Sequence, residues 1–562
     1  MKDNVLAKVI LAAFSLLILA CKSDNGKMKK KNPLANRPNI IVILVDDMGY
    51  SDIAPFGGEI PTPNLQALAE SGLKMTQFYN AGRCCPTRAS LLTGLYQHQA
   101  GVGFMDGPMS DTFGNEVPAY QGYLNENCVT MGEVLGASGY QTYLSGKWHV
   151  GREKEQWPSQ RGFDESYTFV YGAGSYFNKK PYRPSNRESV IVYNDEPVAI
   201  DDNFYLTSEI SERAVAFIKK SEQKQDPFFM YLAYTAPHWP LHALEKDIAL
   251  FRGKYMGGWD SLRNIRHTTM LEKGIVKEEW GLSPSYTIPP DIKVENNQGK
   301  KIHLTPKWDT LSLNQKRKWD LRMAVYAAMV YRMDVGIGKI VKQLKEQDAY
   351  DNTLIMFMSD NGACHEPVDT WNIVYDQSGV IGSPESFDGY SYPWANASNT
   401  PFRLFKHWTA EGGIATPFIA SWPEQIEPGS VNTTDYAHII DIMATCVDVA
   451  EATYPTDYRA KKIKPMEGKS LMPIFKNGDF DDERLVFWEH RGNMAVRKGD
   501  WKLVKQTDGF IDNKNQYQLF NLRDDRAELW DVIDQHPEIK DALLKSYDQW
   551  ADRVGVERNI KW

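Results

Sequence analysis

Cysteine is scarce: six in 562 residues, too few to build a disulfide scaffold. A basic surplus is also lacking. Sixty-four lysines and arginines stand against 72 acidic residues, a formal net charge of −8, so the basic stripe of a nucleic-acid partner is missing. No repeat or low-complexity tract is evident, which argues against solenoid and fibrous chains. The apolar stretch Val9 to Ala20 is shorter than a comfortable membrane span. What is present, 42% hydrophobic and 24% charged residues, is globular composition. The length suits one large domain with a smaller one, or three ordinary ones.

The first 20 residues read as a targeting segment. Lys2 and Lys8 precede an apolar stretch ending Leu17-Ile18-Leu19-Ala20-Cys21, the layout of an export signal. It resembles a bacterial lipoprotein signal, in which cleavage precedes the cysteine and lipid is attached to it. A plain secretory signal with Cys21 incidental is the alternative. Residues 21–37, with a basic cluster from Lys27 to Lys31, read as a flexible tether. The expectation is an exported protein, periplasmic or an outer-membrane or cell-surface lipoprotein, touching membrane only through Cys21.

Chemistry-bearing residues follow apolar runs. Asn39 to Val45 is a β-branched run that predicts a central parallel strand buried on both faces. It ends at Asp46-Asp47. Thr353 to Met358 is a second such run, followed by Ser359 and then Asp360-Asn361. Open α/β sheets bind ligands at carboxyl ends of strands, and three carboxylates with one amide suit a hard cation. Taken alone, Asp46-Asp47 reads equally well as a helix cap or loop pair. Tyr140 to Ser145 predicts a strand leading to Lys147-Trp148-His149. An extended course would turn Lys147 and His149 to one face, where they could clamp an oxyanion and move a proton. Phe228 to Tyr234 predicts a strand followed by His238, near Pro237 and Pro240. His242 reads as pocket wall or surface.

Gly82-Arg83-Cys84-Cys85-Pro86-Thr87-Arg88 places a potential nucleophile, Cys84, near a guanidinium suited to an oxyanion. Ala89 to Leu92 reads as the first turn of a buried helix, whose N-terminus would favour an anion. Continued through Leu91-Leu92-Thr93-Gly94, the stretch resembles the sulfatase motif Cys-x-Pro-x-Arg. Arg83 departs from it, since that family usually has a small or apolar residue there. Gly146-Lys147-Trp148-His149, Pro237-His238 and the stretch from Trp394 to Trp408 around Lys406 also resemble the family.

The resemblance covers most of residues 38–530. It implies an alkaline-phosphatase-like α/β fold: a mixed central sheet flanked by helices, with a small C-terminal antiparallel sheet plus helix. It further implies that Cys84 is oxidised to formylglycine by a maturation enzyme and that its hydrated aldehyde attacks sulfur. Asp46, Asp47, Asp360 and Asn361, with an oxygen of the matured Cys84, would bind one calcium ion. Asp360 would help take a proton from the diol. Arg88, Lys147 and Lys406 would contact sulfate, His238 would protonate the leaving oxygen, and His149 would act on the formylglycine hydroxyl. The expected substrate is a sulfated small molecule or sulfated carbohydrate. Phosphate or phosphonate ester hydrolysis and binding of sulfated glycans without turnover are the alternatives. With Cys21 lipidated and Cys84 oxidised, four cysteines remain, Cys85, Cys128, Cys364 and Cys446, for one or two disulfides in an oxidising compartment, with no pairing readable.

The expected domains are 38–455, catalytic, and 456–562, the C-terminal subdomain. Within the latter, Met494 to Val504 predicts a hairpin, Gln516 to Leu522 a strand and Pro537 to Val554 a helix. Elsewhere Leu65 to Leu73 and Thr207 to Gln223 read as helices, and Trp319 to Gln347 as one or two, broken near Gly336 and Gly338. Residues 243–315, containing Trp259, Tyr286 and Trp308, read as a loop-rich insertion that would carry specificity.

Overall fold

The run Asn39–Val45 forms strand β1, and its side chains divide between two cores. Ile41, Ile43 and Val45 enter one; Ile40, Val42 and Leu44 enter the other. Alternation along a pleated strand makes this division. Each of these six buried aliphatic side chains contributes roughly 1.5–3 kcal/mol. The computed structural model describes residues 37–562, except 107–116, 182–187, 225, 286–293, 296–300, 303–306, 369–378, 482, 508–515 and 559–562. The signal segment, Cys21, nearly all of the tether and Tyr286 lie outside the described residues.

The other strands of the main sheet are β2 (Leu73–Tyr79), β3 (Gln141–Lys147), β4 (Glu165–Phe169), β5 (Ile191–Tyr193), β6 (Glu196–Pro197), β7 (Phe228–Ala233), β8 (Thr353–Ser359), β9 (Ala415–Ser421), β10 (Ser430–Asn432) and β11 (Ala437–His438). Their order is β10-β2-β9-β8-β1-β7-β3-β4-β5-β6, with β11 also on β2. The five strands β8-β1-β7-β3-β4 are parallel. β9 is antiparallel to both β8 and β2, so β2 runs in the same sense as the parallel set. The carboxyl ends of β1, β2, β3, β7 and β8 therefore share one edge with the start of β9.

Helices cover both faces. α1 (Pro63–Glu70), α4 (Leu206–Ser221) and α6 (Leu313–Glu346) pack on the Ile41 side. α2 (Cys84–Thr93), α3 (Met131–Ala137) and α7 (Asp441–Val449) pack on the Ile40 side. α5 (Gly258–Glu272) also contributes to the first core. A second, antiparallel sheet runs β12-β13-β14-β15: Leu485–His490, Asn493–Lys498, Trp501–Lys505 and Tyr517–Asn521. Helix α8 (Pro537–Val554) closes it, with Trp550 stacked on Phe487. The mixed sheet with flanking helices and the small appended sheet match the expected fold class.

Several local expectations need correction. Helix α2 begins at Cys84 rather than at Ala89, because a proline inside the first turn needs no N–H partner. Leu73 opens β2 instead of ending a helix. α6 is one helix of 34 residues, unbroken at Gly336 and Gly338. There the glycines permit close approach: an added Cβ would lie 2.0 Å from Ser211 Oγ at Gly336 and 2.4 Å from Asn64 Oδ1 at Gly338. The loop-rich insertion contains the 15-residue α5, fixed by Trp259 packing edge-on against Trp308, Trp319 and Trp394. Cys84, Cys85, Cys128, Cys364 and Cys446 are all free and buried, so no disulfide joins the described residues. His242 is interior: Tyr176 N–H donates to Nδ1 at 3.3 Å, and Nε2–H donates to Ser386 O at 2.6 Å. Among the described residues no helix is long and apolar enough to cross a membrane.

Candidate active site

The register of β1 on β8 pairs Val45 with Ser359, so Asp46-Asp47 and Asp360-Asn361 leave the sheet side by side. Asp360 N–H donates to Val45 O at 3.0 Å, and Asp47 N–H to Asp360 Oδ1 at 3.2 Å. Asp47 takes φ +66°, the left-handed region that Asp tolerates better than most residues. β3 ends at Lys147, β7 leads to His238, β2 leads to Cys84, and Lys406 precedes β9. All ten sequence-predicted residues thus arise at one edge of the sheet.

Each carboxylate holds one cation. Lys147 Nζ lies 2.5 Å from Asp46 Oδ2, Arg88 Nη2 lies 2.6 Å from Asp360 Oδ2, and Lys406 Nζ lies 2.8 Å from the Asp47 carboxylate. Arg88 also reaches Asp46 Oδ1 at 3.7 Å and Tyr231 Oη at 3.3 Å. All six charged side chains are essentially buried. With every group ionised, three negative charges against three positive ones would leave the cluster neutral. Burial raises the Asp46 pKa well above the usual range, and Asp360 adds to this against Lys147 and Arg88. For Asp47 burial acts upward but is outweighed by His238 and Lys406, so its pKa is lowered.

A hard cation fits this donor set. Asp46 Oδ1 and Asn361 Oδ1 are buried with no hydrogen-bond partner among the described residues, while Asn361 Nδ2 donates to Asp47 Oδ1 at 2.7 Å. Two orphaned oxygens among three carboxylates suit Ca²⁺ or Mg²⁺. A divalent ion would turn the neutral cluster into a site of net +2 charge, complementary to an anion.

Cys84 is the first residue of α2 and is buried. A hydrogen bond from Cys85 lowers its thiol pKa well below the usual range; burial opposes this, while Lys147, His149 and Lys406 assist. His238 Nδ1–H donates to Trp239 O at 2.5 Å, leaving Nε2 to accept from Lys406 Nζ at 3.2 Å. Burial takes the imidazole pKa down to about 3, so it is neutral here.

The extended course expected for Lys147 and His149 does not occur. β3 stops at Lys147, and His149 has φ +59°. Lys147 therefore meets Asp46, while His149 Nε2 meets Asp106 Oδ1 at 3.0 Å. Asp106 in turn takes Arg152 Nε at 3.0 Å. Burial pushes the Asp106 pKa up, but His149 and Arg152 outweigh it and hold it at about 2. Sequence reasoning missed Asp106, Arg152, Glu366 and Trp239. Glu366 bridges Arg83 at 3.1 Å and Trp239 Nε1 at 2.8 Å above the site. None of the four follows a buried apolar run as Asp46, Asp47, Lys147, His238, Asp360 and Asn361 do, and none lies in the motifs that pointed to Cys84, Arg88 and Lys406.

A cleft of about 1020 Å³, lined by Trp280, Tyr436 and Trp501 at the second sheet, contains none of the sequence-predicted site residues. The sequence-predicted residues gather instead at the ion-paired edge.

Among known families, the sulfatase model matches residues 38–452. A model described as N-sulphoglucosamine sulphohydrolase, C-terminal, matches residues 402–551. An uncharacterized sulfatase of Schizosaccharomyces pombe is 34% identical over 551 residues, covering 94% of this chain and 95% of its own. An arylsulfatase of Klebsiella aerogenes is 35% identical over 448 residues, covering 78% and 92%. Among solved structures, Ps i-CgsB in complex with k-i-k-neocarrahexaose superposes with a TM-score of 0.64 at 26% identity, covering 92% of this chain and 93% of that one.

Proposed function

The chain belongs to the sulfatase family and is a sulfuric ester hydrolase; on that premise we propose that it releases inorganic sulfate from a sulfated carbohydrate, with Cys84 matured to formylglycine and one calcium ion bound. The observation that carries this reading is the ring of three carboxylate–cation pairs around Cys84. Binding alone needs no such store of charge beside a nucleophile and two histidines. The carbohydrate follows from the oligosaccharide complex of the structural relative and from the N-sulphoglucosamine sulphohydrolase match.

Asp46, Asp47, Asp360, Asn361 and the matured Cys84 would hold the calcium ion. Formylglycine supplies the attacking hydroxyl as its hydrated aldehyde, and calcium supplies positive charge beside the sulfuryl oxygens. Asp360 helps take a proton from that diol. Arg88, Lys147 and Lys406 offset charge on the sulfuryl oxygens from the positions their carboxylates fix. Protonation of the leaving oxygen is assigned to His238, beside which Lys406 Nζ, 3.2 Å from Nε2, holds the proton of the pair. His149, held at Nε2 by Asp106 and unpartnered at Nδ1 among the described residues, takes a proton from the remaining hydroxyl at Nδ1.

By its signal, the protein is exported and anchored through lipid on Cys21. The decisive experiment is a mass spectrum of the Cys84 peptide from protein made in its own host, paired with turnover of a sulfated sugar. Aldehyde at Cys84 with sulfate release, and release abolished in Cys84→Ala, is the expected result. A Cys84→Ala protein that keeps full turnover overturns the reading.

A further inference from the structure

Two side chains beside the sulfate cradle take no part in the steps above. Arg83 precedes Cys84 and departs from the family motif. Its side chain is 16% exposed, above the buried Cys84. Arg83 Nη2 donates to Glu366 Oε1, while the other Glu366 oxygen is engaged by Trp239. Arg83 Nε is buried and has no hydrogen-bond partner among the described residues.

His490 ends β12, at a turn whose Arg491 and Gly492 have φ +54° and +76°. That turn reaches back to the active-site edge. The His490 ring is fully buried, and neither nitrogen has a hydrogen-bond partner among the described residues. It stacks on Phe104 at 5.4 Å and meets His407 edge-on at 5.2 Å. His407 N–H donates to Gly82 O at 2.8 Å, so His407 links the His490 ring to the turn that carries Arg83 and Cys84. Arg83, Arg491 and Cys84 lie within electrostatic range of it.

A buried imidazole with two unmade hydrogen bonds is poor packing, since an apolar ring would fill the space without desolvating two nitrogens. Buried groups of this kind call for a ligand. Arg83 and Arg491 bring positive charge here, and His490, whose pKa is lowered well below the usual range by burial and then by His407, Arg83 and Arg491, adds a neutral N–H donor, while Glu366 is already engaged on both oxygens. Such a set suits an oxyanion.

We propose that Arg83 and His490 form a second anion subsite, which receives a carboxylate or a second sulfate carried by the substrate beside the scissile ester. The inference rests on the sulfatase reading and narrows the substrate to a carbohydrate with two anionic groups.

The test is calorimetric titration of the full chain carrying Cys84→Ala, which removes the nucleophile. The probes are a monosulfated neutral monosaccharide, the same sugar with an added carboxylate, and the same sugar with a second sulfate. The second anion is expected to tighten Kd at least tenfold, and the arm that does so identifies its chemistry. Arg83→Gln and His490→Gln, each in that background, should remove the gain. Arg83 lies at the partly exposed rim, so its variant remains informative if the buried His490 variant misfolds. Equal Kd for all three sugars, or a gain that survives Arg83→Gln, overturns the subsite. Turnover of an aryl sulfate by matured wild-type protein tests the sulfatase reading separately, because that substrate has no second anion.

Discussion

His149 Nε2 sits 3.0 Å from Asp106 Oδ1, and Arg152 grips the other oxygen of that carboxylate at 3.0 Å. The pair fixes which ring nitrogen is free: Nε2 carries the proton toward Asp106, and in the proposed mechanism Nδ1 is the base. A carboxylate behind a working histidine sets both tautomer and orientation. Asp106 is a positioning residue and takes no proton itself.

Asp106→Asn should lower kcat about 10- to 100-fold. KM should change much less, because the sulfate cradle is formed by other residues. The measurement is steady-state kinetics on an aryl sulfate, with thermal unfolding as a check on the fold. An unchanged kcat would remove Asp106 from the mechanism.

A buried ion network ties the Lys406 segment to the second sheet. Lys502 Nζ contacts Glu411 at 2.8 Å and Glu528 at 2.9 Å; Arg526 meets Glu411, and Arg403 meets Glu528, each at 3.1 Å. Removing one partner strands buried charge, which costs about 3–5 kcal/mol. Lys502→Met should therefore destabilise by that order in urea unfolding and also reduce kcat, since Arg403 and Glu411 flank Lys406. Adding Glu528→Gln should recover part of the stability by deleting a stranded charge. A single variant as stable as wild type would contradict this account.

His242 gives a pH signature. Burial lowers its pKa to about 4, against about 6.5 in the unfolded chain. Between these values the unfolded state binds more protons, so stability falls as pH drops from about 6.5 to 4, by roughly 3 kcal/mol in total. His242→Gln removes that titration while retaining an amide donor toward Ser386. The variant should be less stable at pH 7, with the gap to wild type narrowing at pH 4.5. Parallel stability curves across that range would exclude the histidine as the cause.

Much of the site was legible because the sheet announces itself locally. The runs Asn39 to Val45, Phe228 to Ala233 and Thr353 to Ser359 are strands in the structure, and chemistry-bearing residues follow each one. Helix Pro537–Val554 has the bounds that its sequence pattern predicts. Glycine misled at Gly336 and Gly338, where helix packing outweighs intrinsic propensity. The strand Leu485–His490 went unread, and His490 with it.

By itself the sequence determined the central strands β1, β3, β7 and β8, the order of the motifs and the residue types of the site, because side-chain periodicity and motif spacing are properties of short stretches. Tertiary structure alone decided which charges meet. Lys147 pairs with Asp46 from 101 residues away, Lys406 with Asp47 from 359, and Arg88 with Asp360 from 272. It also placed Asp106 behind His149. Such partners are joined by strand order and burial, and a buried charge is stable only where the fold brings its counter-charge within reach.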